Sequence, residues 1–294
     1  MSNIQENVRV NEKYKDRIFC LLFGREEYKE NILSLYNALN DSNYDNVDDI
    51  EITTIEDALY IKMKNDVSLL IDSYLTLWEQ QSTYNPNMPV RGLMYYGNLY
   101  NSYIRNRGLN IYRSALVKLP TPKYVVFYNG TTNRDSIEKL KLSDAFMQED
   151  VDHEFEWTAT MINLNKGKND ALLEKCKVLA DYMVLINKIR VYKKEMGNIR
   201  DAVNRAVDEC IQEGRLVEFL EKHRGEIMAN VLTEFNEEVF VRSMKEEGRE
   251  EEREVNIAIF VETLREFGIA DDMILQKLIE KYGICQEDAK GYLK

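Results

Sequence analysis

Residues 64–91 read KNDVSLLIDSYLTLWEQQSTYNPNMPVR, and the first two thirds of that stretch decide the fold. Apolar and polar residues alternate along Leu59–Ile71 and again along Leu75–Gln81, with a polar break at Asp72-Ser73. Period-two alternation bounded by turn residues predicts two strands. A two-residue loop makes them a hairpin in which Ile71 faces Tyr74, Asp66 faces Glu79 and Lys64 faces Gln81. The same alternation puts Lys64, Asp66, Glu79 and Gln81 on one face of the sheet. Opposed carboxylates lie roughly 5 Å apart at Cβ and repel each other. A divalent cation between them turns that cost into a binding site, since carboxylate oxygens suit Mg²⁺ and Mn²⁺. A solvated sheet face with incidental charges is the competing reading, and an odd-length loop would shift the pairing by one residue.

Working outward, Tyr14–Asn40 has helical apolar spacing with a break near Gly24, and Asp41–Asp49 is a polar loop. Asn87 is expected to cap a helix that has Pro89 in its first turn and runs to about Arg105. Tyr124–Tyr128 is a short buried strand ending at Asn129-Gly130, and Glu154–Asn165 is another strand. The pattern is helical from Asn169 to Glu234 with a break at Gly214; a charged helix over Glu237–Glu266 and a short helical tail punctuated by Gly268 and Gly283 follow. This order predicts an α/β core followed by an all-helical extension.

No Asp or Glu occurs from Gln80 to Arg134, although 51 of the 294 residues are acidic. Arg91, Arg105, Arg107, Arg113, Lys118, Lys123 and Arg134 lie in this window, interleaved with eight tyrosines and all four prolines of the chain. Cations meet phosphates and tyrosines stack on bases, so the window is a candidate nucleic-acid face with Arg91, Arg105 and Lys123 as contacts. Arg91 is the first choice because its fork suits a phosphate, and an internal ion pair is its rival role. The competing account of the tyrosines is a packed core.

Composition narrows the class. With 44% apolar and 31% charged residues the chain is globular, and its net charge of −12 argues against indiscriminate nucleic-acid binding. Cys20, Cys176, Cys210 and Cys285 are far apart with no CxxC spacing, which suits neither a zinc ribbon nor a disulfide framework. His153 and His223 are too few for a histidine-rich metal site, and His153 is read as a structural or surface residue. No Gly-rich phosphate loop appears. No apolar run is long enough to span a bilayer, and Met1–Arg9 is polar. A soluble, cytoplasmic protein with no membrane partner is expected.

Residues 64–91 closely resemble the PD-(D/E)XK nuclease family transposases, also called recombination-promoting nucleases. The resemblance extends from Tyr14 (YKDRIFCLLFGREEYKENILSLYNALN) through Lys118–Gly130 (KLPTPKYVVFYNG) and Cys176 to the stretch EGRLVEFLEKHRGEIMANVLTEF ending at Phe235. It implies a restriction-endonuclease-like core, a central mixed sheet flanked by helices, over 1–165. A helical extension packed on that core (166–235) and a charged helix with a helical tail (236–294) follow. It also implies a Mg²⁺-dependent DNA endonuclease, with Mn²⁺ as a substitute, linked to recombination or mobile elements. Asp66 and Glu79 match the two acids that hold the metal, with the Gln80 carbonyl as a further ligand.

Gln81 stands where the motif has lysine; it can orient a water but cannot act as a general base. Lys64, opposite Gln81, is the candidate replacement. Asp16, in a KDxxF context, either approaches the metal or favours the helix N-terminus. Trp78, on the other strand face, is expected in the core. The C-terminal helices are a candidate homo-oligomer contact. The missing lysine leaves open a non-cleaving DNA-binding or interaction module, and a defence or toxin-like nuclease would use the same core.

Overall fold

The computed structural model describes residues 13–53, 66–148, 154–229, 256–265, 270–284 and 286–293. The chain forms two compact units, Met1–Glu234 and Phe235–Lys294. In the first, α1 (Lys13–Phe23) and α2 (Lys29–Asn40) are separated by a short 3-10 turn just after Gly24. A Cβ on Gly24 would press on the Cys20 carbonyl, so the break expected there has a steric basis. Next come β1 (Ile50–Ile52), β2 (Val67–Ile71), β3 (Tyr74–Gln81), α3 (Met88–Asn106) and β4 (Thr121–Tyr128). After them come β5 (Ile137–Lys141), β6 (Thr158–Asn163), α4 (Asp170–Lys175), α5 (Lys177–Met196) and α6 (Ile199–Gln212). A further helix, α7, covers 217–229.

Among the described residues the six strands form one mixed sheet in the order β1-β2-β3-β4-β6-β5. β1, β2 and β3 are antiparallel neighbours, β3–β4 and β4–β6 are parallel, and β5 closes the edge antiparallel to β6. Helix α3 is the crossover that lets β3 and β4 run in the same direction.

Period-two alternation divides the side chains into two cores. Leu75, Leu77, Tyr124, Val126 and Tyr128 face α3 and bury its Tyr95, Tyr96 and Leu99. Val67, Leu69, Trp78 and Phe127 point the other way, into a larger core shared with α1, α2, α5, α6 and α7. Trp78 is fully buried there, edge-on to Phe23 and Phe127. Residues 166–234 belong to the same compact unit as the sheet.

Several sequence expectations change in detail. The expected strand from Leu59 is seen from Val67 onward, and its first part lies outside the described residues, as do Lys64, His153 and most of the charged helix 237–266. Asn87 occupies the N-cap of α3 but makes no side-chain cap; its amide donates to Asn85 Oδ1 at 3.0 Å, and Pro89 lies in the first turn as expected. β4 starts three residues earlier than Tyr124, and β1 and β5 were not anticipated.

The second unit contains α8 (256–265), α9 (Asp271–Tyr282) and α10 (Gln286–Gly291) around Ile257, Val261, Ile274, Leu278 and Ala289. Gly283 ends α9 at φ 64°, the left-handed position glycine tolerates best. No helix among the described residues is long and apolar enough to cross a membrane.

Candidate active site

The hairpin has the anticipated register: Ile71 pairs with Tyr74 and Val67 with Trp78. Asp72 makes the tight turn possible by adopting φ 51°, a conformation that aspartate tolerates better than most residues. One step beyond Val67 and Trp78, Asp66 meets Glu79. The Asp66 amide donates to Glu79 Oε1 at 3.0 Å, and the Gln80 amide donates to Asp66 Oδ2 at 2.7 Å. Each carboxylate therefore accepts a backbone proton from the opposite strand, which fixes both side chains at the end of the hairpin.

Glu79 lies on the α3 face of the sheet with no exposed surface. The first turn of α3 brings Arg91 over it, with Nη2 3.0 Å from Glu79 Oε2. Tyr95, one turn further along, accepts from Arg91 Nη2 at 2.8 Å and from Nε at 3.2 Å, the spacing expected of an i,i+4 helical pair. Arg91 is thus an internal ion-pair partner in this structure, the rival role that the sequence left open. Its side chain keeps 32% exposure.

Two acids removed from water beside each other disfavour double ionisation. Burial lifts Asp66 to about 6, against the pull of the Gln80 amide and Arg91. Burial and the Asp66 charge push Glu79 well above the usual carboxylate range, and Arg91 draws it back. Cys20, on α1, donates to the Asp66 carbonyl at 3.4 Å. Its thiol is pushed up by burial and by the charges of Asp66, Asp16 and Glu79, so Asp16 belongs to the same electrostatic neighbourhood. Asp16 also occupies the first turn of α1, where a carboxylate complements the helix dipole.

The other predicted residues are dispersed. Gln81 is half-buried, two residues beyond Glu79 and therefore on its face of the sheet. The Gln80 side chain faces the opposite core, where neither amide atom has a hydrogen-bond partner among the described residues. Lys123 lies toward the other end of the sheet, beside Thr76; its Nζ donates to Asn40 Oδ1 at 2.7 Å and sits 4.1 Å from the Tyr74 ring. Arg105 is exposed in the last turn of α3. Most tyrosines of the acid-free window pack a core: Tyr95, Tyr96, Tyr124 and Tyr128 are buried, and Tyr84, Tyr100 and Tyr103 lie against them. The sequence reading did not assign Tyr95 to the site, though its position four residues after Arg91 was the available signal.

Mg²⁺ commonly takes one or two carboxylates and fills its remaining positions with water and phosphate oxygens. Asp66 and Glu79 fit that donor set, provided the cation takes the place of the Arg91 guanidinium on Glu79. No larger cluster of three metal-ligating acids, histidines or cysteines occurs among the described residues. No protein-family model matches the chain, and no curated protein or solved structure matches it either.

Proposed function

We propose that this chain is a metal-dependent DNA endonuclease of the PD-(D/E)XK type, with Asp66 and Glu79 holding Mg²⁺ or Mn²⁺. The observation that carries this reading is the placement of a buried glutamate and a half-buried aspartate side by side at the end of the hairpin, each tied to the other's backbone. Burying like charges is costly unless a cation compensates them. The order helix, antiparallel β1–β3, helix, parallel β4 supports the restriction-endonuclease-like part of the proposal. The link to recombination or mobile elements rests on the sequence resemblance alone.

When bound, the ion supplies Lewis-acid charge at a phosphodiester. The chain's own residues do the rest. Asp66 and Glu79 must be ionised to bind the metal. Arg91 pairs with Glu79 in this structure, and its fork would suit a phosphate oxygen if a cation took its place on Glu79. Gln81 offers an amide that orients water without exchanging a proton.

A second reading, a duplex-binding module that does not cleave, is favoured by the glutamine at 81 and by the Arg91–Glu79 pair. Purified protein incubated with supercoiled plasmid and Mg²⁺ separates the two. Cleavage that disappears in EDTA and in Glu79→Ala supports the nuclease. If cleavage survives in Glu79→Ala, the site is misassigned. Duplex binding without cleavage in either Mg²⁺ or Mn²⁺ selects the module.

A further inference from the structure

The segment between α3 and β4 is pinned at both ends and projects between them. At its root Leu109 N–H donates to the Ile104 carbonyl at 2.9 Å, and Arg107 lies against the Tyr103 ring while pairing with Glu51. At its far end the Tyr100 hydroxyl donates to the Pro120 carbonyl at 2.7 Å. In between, Tyr112 is 94% exposed and Leu116 84%, with Ile111 also largely in solvent. Such large apolar side chains grouped on one projecting loop call for a partner. Arg113 and Lys118 are exposed among them, and the loop contains no carboxylate.

Helix α3 connects this loop to the candidate site. Its outward stripe, Met94, Gly97, Asn101 and Arg105, is neutral or basic and exposed. From Arg91 to Arg105 the helix advances about 21 Å, at roughly 1.5 Å per residue. B-form DNA covers that distance in about six base pairs. Asp48, Asp49, Glu51 and Asp72 line one pocket with Arg107, so acidic surface meets the loop at its root.

We infer that the loop 107–120 is a duplex-DNA grip, with Arg113 and Lys118 on phosphates and Tyr112 and Leu116 wedged against the bases, about six base pairs from the scissile bond. This deepens the nuclease proposal and rests on it. Basic side chains supply affinity that depends on salt, and apolar or aromatic wedges add sequence-tolerant contacts.

Fluorescence anisotropy with a labelled duplex of about 30 base pairs, without added metal, tests the inference across a salt series. The paired change Tyr112→Ser and Leu116→Ser is expected to weaken binding about tenfold. The pair Arg113→Gln and Lys118→Gln is expected to lower the slope of log K against log salt by about 2. All four positions are exposed, and circular dichroism melting should match wild type. Unchanged affinity and salt slope in both double variants overturn the loop assignment, while the Glu79→Ala cleavage result stands independently. A wild-type chain that binds no duplex overturns the loop assignment, and plasmid cleavage in Mg²⁺ then decides the nuclease reading by itself.

Discussion

Replacing Arg91 by methionine keeps much of the stem that packs beside Met88 and Tyr95 but removes the charge that compensates Glu79. Glu79 has no exposed surface, and among the described residues its remaining donor is the Asp66 amide. Removing one partner of a buried ion pair costs about 3–5 kcal/mol. The loss has a ceiling, because Glu79 can instead take up a proton. At pH 7.5 that costs about 4 kcal/mol relative to an ordinary glutamate, and at pH 5 only about 1 kcal/mol. Urea unfolding of Arg91→Met should therefore show a loss of at most about 3–4 kcal/mol at pH 7.5 that shrinks to about 1 kcal/mol or less at pH 5. Adding Glu79→Gln should recover much of the loss at pH 7.5 and little at pH 5. An equal loss at both pH values, or a double variant no more stable than Arg91→Met, would refute the view that the pair is held together by charge.

Two further outcomes follow from the same site. Asp66 is lifted from 3.8 to about 6 on folding, so the native state holds the extra proton between those values and stability falls as pH rises through them. The fall should approach about 3 kcal/mol for this group, disappear in Asp66→Asn, and be opposed by Mg²⁺ above pH 6 and not below about pH 4; chemical denaturation at several pH values measures it. A Cβ on Gly92 would collide with the Tyr124 ring and come within 3.0 Å of Trp157 Nε1. Gly92→Ala should cost about 1–3 kcal/mol in a thermal melt, and a neutral result would mean that α3 is free to lift from the sheet.

The central hairpin was legible because its information is local. Two polar turn residues fix the loop, and the alternation on either side then fixes which residues oppose and which share a face. Trp78 in one core and Glu79 toward the other follow from that parity alone. The edge strands were not legible for the opposite reason. Ile50–Ile52 is too short to show a period, and Ile137–Lys141 carries Glu138 and two lysines, as edge strands often do. Composition left the tyrosines with two readings, a base-stacking face and a packed core. Most of the rings fill the space between α3 and the sheet, which the local sequence does not distinguish from an exposed stacking face. The fate of Arg91 depended on where α3 docks, which is set by packing through Tyr95, Tyr96 and Leu99 and is not written in the local sequence.

Because Trp78 and Phe127 are covered jointly by helices from both ends of residues 13–229, the sheet cannot be severed from the late helices. Cutting the chain near 165 would strip α5 to α7 from that face and leave aromatic surface bare in water. Anyone transplanting the carboxylate pair into a chimera must carry these late helices along with the early ones, or expect inclusion bodies in place of a folded protein.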